Sequence, residues 1–287
     1  MTKRKQAQAI SAVAIICMGC EGAPPASTRG DSSVGVFVAQ PSLSPTAARG
    51  SFAYVDSSGT QLLALNPVPD PSTIVGAVCS GALAVQVRYE GRRTQQQNDN
   101  GRQVASNFRN QPGDLFRLIQ SRATPDKTCY LSPDSTLLAG ARAATTREPA
   151  ECSSEQVARI EAAKPRHVIH CWNIATAAIR LDILALQFVN IDSSALASLA
   201  LVGDSSVLFK DFPAVHHAQD ESIWRVDDEG TFSPSGFDIL FVAAFRNGSV
   251  MAFTWAGAEG EFSELLLADS TGAFRTLSKG YRYWSPT

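Results

Sequence analysis

The sequence predicts an α+β fold: mainly antiparallel β-sheet, sandwich-like or helix-covered, with a short helical insertion around residues 113–164. Three observations lead there. Period-two apolar alternation, the mark of a half-buried strand, dominates before residue 110 and again after 166, in runs bounded by Gly, Asn, Asp and Pro. Between those stretches the apolar spacing lengthens to three and four, and capping residues appear. An apolar fraction of 44% with 18% charge is ordinary globular composition, with ample surface for a core. No long linker divides residues 34–287, which read as a single domain whose best internal seam is 143–152, around "TTREPAE".

The chain opens "MTKRKQAQAISAVAIICMGCEGAPPAS". The basic run Lys3-Arg4-Lys5 precedes an apolar stretch from about Ala9 to Gly19, too short for a bilayer span of ~20 apolar residues, and the layout is that of an export signal. Within it "ICMGC" resembles the lipobox of bacterial lipoproteins, with Gly19 small before Cys20 and Ile16 apolar upstream. The resemblance implies that residues 1–20 are a lipoprotein-type signal peptide and that the Cys20 thiol is diacylated as the new N-terminus. Ordinary cleavage near Ala23 to Ala26 is the alternative. Residues 21–33, rich in Gly, Pro, Ser and Ala without periodicity, read as a flexible linker.

The fold then begins near Val34. "VGVFVAQ", "SFAYV" and "TQLLALNP" predict short strands. "GALAVQVRYEGRRT" predicts a half-buried one, with Leu83, Val85, Val87 and Tyr89 on one face and Gln86 and Arg88 on the other. "TQQQNDNGRQ" is polar, with Asn100-Gly101 as a turn signal, and reads as a solvated hairpin tip.

In "GDLFRLIQSRA", Asp114 is placed as an N-cap before Leu115, Leu118 and Ile119, which predicts a helix. "SPDSTLLAGARAA" predicts another, with Ser132 as cap and Pro133 at the first helical position. A capping box, Ser153 with Gln156, opens a third over Val157, Ile160 and Ala163, which Pro165 ends.

After residue 166 strands dominate. "AIRLDILALQFVNI" changes phase near Ile183, which predicts a bulge or burial on both faces. "FDILFVAAFRNGSVMAFTWAG" predicts a hairpin in which Asn247-Gly248 forms a type I′ turn pairing Arg246 with Ser249. Both of its faces are mainly apolar, so it belongs at the centre of the molecule, covered on each side. "YVDSSGT", "RVDDEGT" and "LADSTGA" share an Asp, two polar residues and a Gly. No matching turns fill a regular period between them, so the pattern reads as turn chemistry rather than a repeat fold.

Of six cysteines, Cys17 and Cys20 belong to the signal. Cys79, Cys129, Cys152 and Cys171 remain, an even number that in an exported protein predicts two disulfides, with three possible connectivities. Geometry favours one. A helix of about eleven residues rises ~16 Å and a six-residue extended return covers ~20 Å, so a chain that doubles back brings Cys171 beside Cys152. Cys79 with Cys129 follows by elimination.

The remaining constellations are weak. His167, His170 and Cys171, with His216, His217, Asp220 and Glu221, are zinc-type donors, yet His167 and His170 on a strand point to opposite faces and an oxidised Cys171 is lost as a ligand. "GDSSV" at 203–207 resembles the Gly-Asp-Ser nucleophile block of some esterases, but sits between strand-like runs as a hairpin turn would. Asp227, Asp228 and Glu229 lack the alternate spacing of a calcium loop. Tyr281 and Tyr283, with Arg282 and Trp284 opposite, fit a final strand, though such rings also stack on sugars or peptides.

A net charge of −2 and a pI near 6.1 argue against a nucleic-acid partner. No phosphate-cradling loop, zinc-protease motif or dinucleotide fingerprint appears, and no cofactor or metal is expected. The sequence therefore predicts an exported, lipid-anchored cell-envelope protein acting as a non-catalytic binding or structural module. Its partners would be the membrane, through Cys20, and an envelope protein or ligand. The alternative is a periplasmic hydrolase using the serine near 205 or a histidine-bound metal.

Overall fold

The computed structural model describes residues 41–177, 181–204, 206–217, 220–223, 232–268 and 273–284. The expected signal peptide, linker and strand at 34–40 lie outside them. The expected fold class holds: antiparallel strands dominate, and two short α-helices accompany them.

The first six strands are β1 (Ser51–Val55), β2 (Gln61–Ala64), β3 (Gly76–Cys79), β4 (Leu83–Arg93), β5 (Gly113–Leu118) and β6 (Thr128–Ser132). They close into a barrel in the order β1-β2-β5-β4-β3-β6. Closure removes the free strand edges of an open sheet. The barrel is filled by alternate residues, among them Ala53, Val55, Leu62, Ala77, Val85, Phe116 and Leu131, with small Ala side chains leaving room for Phe116.

Strand β5 replaces the helix expected from "GDLFRLIQSRA". Leu115, Leu118 and Ile119 fit a helical face, but Asp114, Phe116 and Leu118 are the buried set, at a period of two. Pairing of β5 with β2 and β4 (Leu63 opposite Leu115, Tyr89 opposite Phe116) overrides the local pattern. Asp114 caps no helix; its buried carboxylate accepts from the Val68 amide and the Tyr89 hydroxyl.

Helix α1 (Ser135–Gly140) starts later than expected because Ser132 ends β6. Asp134 is the cap, accepting from the Thr136 amide at 2.8 Å, while the Ser132 hydroxyl accepts from the Asp134 amide. The stretch read as a seam forms β7 (Ala144–Glu151), where the chain passes from the barrel into the next sheet. Helix α2 (Ser154–Ala163) carries the full Ser153/Gln156 capping box, and its C-cap is Lys164, ahead of Pro165.

The second sheet continues with β8 (Val168–Ala177), β9 (Leu181–Ile191), β10 (Ser194–Val202), β11 (Val207–His217) and β12 (Asp220–Ile223), in the order β12-β11-β10-β9-β8-β7. Its β9 is buried on both faces: Ile183 and Ala185 point to one core, Leu184, Leu186 and Phe188 to another under α2.

The third sheet is a meander of β13 (Phe237–Phe245), β14 (Gly248–Ala256), β15 (Gly260–Ala268) and β16 (Phe274–Tyr283). It forms the middle layer. Ile239, Val242, Met251, Phe253, Trp255 and Leu266 pack on the six-stranded sheet, while Phe241, Ala243, Val250, Ala252 and Leu265 pack on Phe52, Tyr130 and Leu137 of the barrel and α1.

The β13–β14 hairpin is therefore covered on both sides, as its two apolar faces require, but its register is shifted by two from the expected one. Phe245 pairs with Gly248 and Ala243 with Val250, leaving Arg246 and Asn247 as the loop. Gly248 takes the positive φ of 139°, and the Asn247 side chain bonds both the amide and the carbonyl of Leu43. A shift of two keeps every side chain near the turn on its expected face, where a shift of one would have turned the hairpin over.

The first of the three Asp/Gly patterns is the β1–β2 turn. Asp56 accepts from the Thr60 and Gln61 amides and the Ser58 hydroxyl, and Gly59 supplies a φ of 74°. The second pattern and the centre of the third lie outside the described residues.

Candidate functional site

Where β7 runs along the edge of its sheet, the ladder is irregular. Pairing of β7 with β8 lapses between Thr146 and Ala150, and the pairing of β8 with β9 shifts at Ile169 and again at Ile174. Pro149 has no amide to offer a further strand, and the bulge bends the edge, so this free edge is guarded against strand addition.

Two clefts open beside it. One, of about 350 Å³, is lined by Thr146, Glu148, Pro149, Ile174, Pro234, Ser235 and Phe237, at the margin between the second and third sheets. The other, of about 240 Å³, lies where β7 ends and is lined by Glu151, Cys152, Val157, Val168, Ile169, His170, Cys171 and Trp172. Each holds one exposed carboxylate, Glu148 or Glu151, that has no ion-pair partner among the described residues.

The smaller cleft is built by the capping box and the disulfide together. Ser153 and Gln156 start α2 directly after Cys152, and the return strand brings Cys171 to it, with Cα atoms 5.4 Å apart and the Cys152 amide donating to the Cys171 carbonyl. The Ile169 bulge leaves Ile169 and His170 both exposed, and the His170 ring stacks on Trp172 at 5.2 Å. Glu151 is the direct cross-strand partner of Trp172. At the other end of α2, a hydrogen bond from the Val168 amide, aided by His167 at 2.7 Å, holds the Glu161 carboxyl below its ordinary range.

The second disulfide joins Cys79 and Cys129, directly opposite each other on β3 and β6, inside the barrel core. The four cysteines thus meet in the pairs that the helix-and-return geometry favours. Two disulfides point to a non-cytoplasmic, oxidising location, and no described helix is long and apolar enough to cross a membrane.

The other sequence candidates within the described residues are dispersed. His167 pairs with Glu161 and His170 turns to Trp172, so the two do not share a site, and Cys171 is oxidised. Among the described residues no group of three or more His, Cys, Asp and Glu is placed to hold a metal. The side chains of His216, His217, Asp220 and Glu221 lie outside the described residues, as do Cys20, Ser205, Asp227, Asp228 and Glu229. The rest of "GDSSV" is a turn in which the Gly203 amide donates to the Ser206 carbonyl.

Strand β16 carries the C-terminal aromatic run. Tyr281 packs on Phe262 and stays 40% exposed, Trp284 donates to the Ala258 carbonyl, and Arg282 is buried between the third sheet and the barrel. His167, just before β8, and Trp284, just after β16, therefore flank different sheets.

Sequence reasoning missed Glu148, Glu151 and Trp172. The available signal was Pro149 between two glutamates in a strand-compatible run, which marks a guarded edge. No family model, curated protein or solved structure matches this chain.

Proposed function

We propose that the protein is an exported, lipid-anchored cell-envelope component that acts as a non-catalytic binding module, held at a membrane through Cys20 and presenting the β7–β8 edge to its ligand. The observation that carries the binding role is the pair of clefts flanking one bulged edge strand, each with an exposed carboxylate that has no ion-pair partner among the described residues, beside apolar or aromatic walls. Both clefts set polar groups against apolar walls, and in small-molecule and side-chain sites such placed polar groups fix the ligand's orientation. The two disulfides fit an oxidising compartment, and the lipobox-like "ICMGC" supplies the anchor.

Intact mass measurement of the native product tests the anchor: a chain beginning at a diacylated Cys20, with no other thiol reactive to iodoacetamide, is expected. An unprocessed chain with reactive thiols rejects it. Labelling with a serine-directed fluorophosphonate tests the binding role, since covalent labelling would make the protein a hydrolase instead.

A further inference from the structure

We propose that the cleft at the end of β7 binds a protonated alkylamine, with Glu151 supplying the charge and Trp172 the aromatic face. The inference deepens the binding reading above and rests on it. Glu151 and Trp172 face each other across the β7–β8 pair, and directly opposed residues hold their Cβ atoms about 5 Å apart, which sets a carboxylate beside an indole. His170 stacks on Trp172 at 5.2 Å with the planes 21° apart, extending the aromatic wall. The cleft between them measures about 240 Å³, room for an alkylammonium and its stem, and Val157, Val168 and Ile169 offer an apolar lining for the methylenes.

Charge selects a cation over an anion. Among the described residues the cleft's lining carries one carboxylate, Glu151, and no Lys or Arg. The start of α2 is next to it, but Ser153 and Gln156 bond each other's backbone amides in the capping box, which removes two of the donors an anion would use. A cation over an indole with a carboxylate alongside satisfies both walls at once.

The full mature protein, labelled with nitrogen-15, is titrated with Nα-acetyl-lysine methylamide, with putrescine, and with the uncharged Nε-acetyl form of the lysine probe. The readout is the indole N–H signal that disappears in Trp172→Leu. A saturable shift with a charged amine and none with the acetylated probe is expected. Preference for the lysine amide over putrescine identifies a protein side chain as the natural source, and the reverse identifies a free polyamine.

Glu151→Gln is expected to weaken binding about fivefold, the worth of one exposed charge pair. Trp172→Leu, followed through the His170 ring signals, is expected to weaken it about tenfold. Should Trp172→Leu not fold, the milder Trp172→Phe assigns the indole signal and Glu151→Gln decides. Equal shifts with charged and acetylated probes, or no shift with either, overturn the inference. A chain that carries the Cys20 anchor and resists fluorophosphonate yet gives no shift overturns it while leaving the proposed function standing.

Discussion

The Arg282 guanidinium lies over the Tyr54 ring, 4.9 Å from its centre, and joins the third sheet to the barrel. It donates to the Gln103 carbonyl at 2.5 Å and the Asp126 carbonyl at 2.7 Å, pairs with the Asp126 carboxylate, and stands 3.8 Å from Glu261. Arg282 itself is almost wholly buried. Removing the guanidinium strands the buried Glu261 carboxyl and the Gln103 and Asp126 carbonyls, whereas the half-exposed Asp126 carboxylate can turn to water, so the cost is about 3 kcal/mol. Arg282→Met should therefore lower unfolding stability by that order in urea titrations. Arg282→Lys should recover only part of the loss, because an ammonium cannot reproduce the planar fork. Stability unchanged in Arg282→Met would show that the join is held elsewhere.

Two residues before Arg282, Gly280 makes the same approach possible. A Cβ there would stand 3.0 Å from the Phe52 Cβ and 3.2 Å from Leu65 Cδ1. The Phe52 Cβ sits next to the backbone of a closed barrel and has little freedom to withdraw. Gly280→Val should push β16 off β1 and destabilise by about 1–3 kcal/mol, the usual scale of overpacking. Thermal unfolding of the variant checks it: a melting temperature equal to the parent's would mean that the two layers are not in fixed contact.

The two disulfides differ in the loop they close. Cys152–Cys171 spans 19 residues and Cys79–Cys129 spans 50. On chain entropy alone these contribute about 3 and 4 kcal/mol. The second pair also lies deep in the barrel, so its loss leaves poorly packed volume. Replacing both Cys79 and Cys129 by Ala should cost more than replacing Cys152 and Cys171, compared by urea unfolding under non-reducing conditions. The reverse order would contradict the larger contribution expected from the longer loop and the buried position of Cys79–Cys129.

What the sequence made legible was local. The Ser153/Gln156 box, the return to Cys171 and the two-faced hairpin at 237–256 each depend on residues close in the chain, where period and capping chemistry speak directly. The barrel was not legible, because β5 is defined by partners such as Leu63 and Tyr89, far along the chain, and "GDLFRL" satisfies both periods. The hairpin register failed for a similar reason. Asn247 is occupied with Leu43, a contact spanning 204 residues. Glu151 and Trp172 stayed hidden as a pair because a bulge in β7 sets their register, and bulges leave little mark in composition.

Two carboxylates should move stability in opposite directions with pH. Burial raises Glu261 above its ordinary 4.5, although the Thr128 hydroxyl and Arg282 pull it down. An acid raised in the folded state contributes stability that is fully present below its unfolded value and is lost as pH climbs through the folded one. For Asp56, partial burial opposes ionisation, but the Ser58 hydroxyl and the Gln61 and Thr60 amides outweigh it and hold the carboxyl below 3.8. Its contribution is present above the unfolded value and is lost as pH falls through the folded one. Urea unfolding from about pH 3 to 8 separates them. Relative to the parent, Glu261→Gln should flatten the decline in stability above pH 4.5, and Asp56→Asn should flatten the decline below pH 3.8. Glu261→Gln keeps an acceptor for Thr128, so a steeper decline in that variant would mean that Arg282, rather than burial, governs the Glu261 carboxyl.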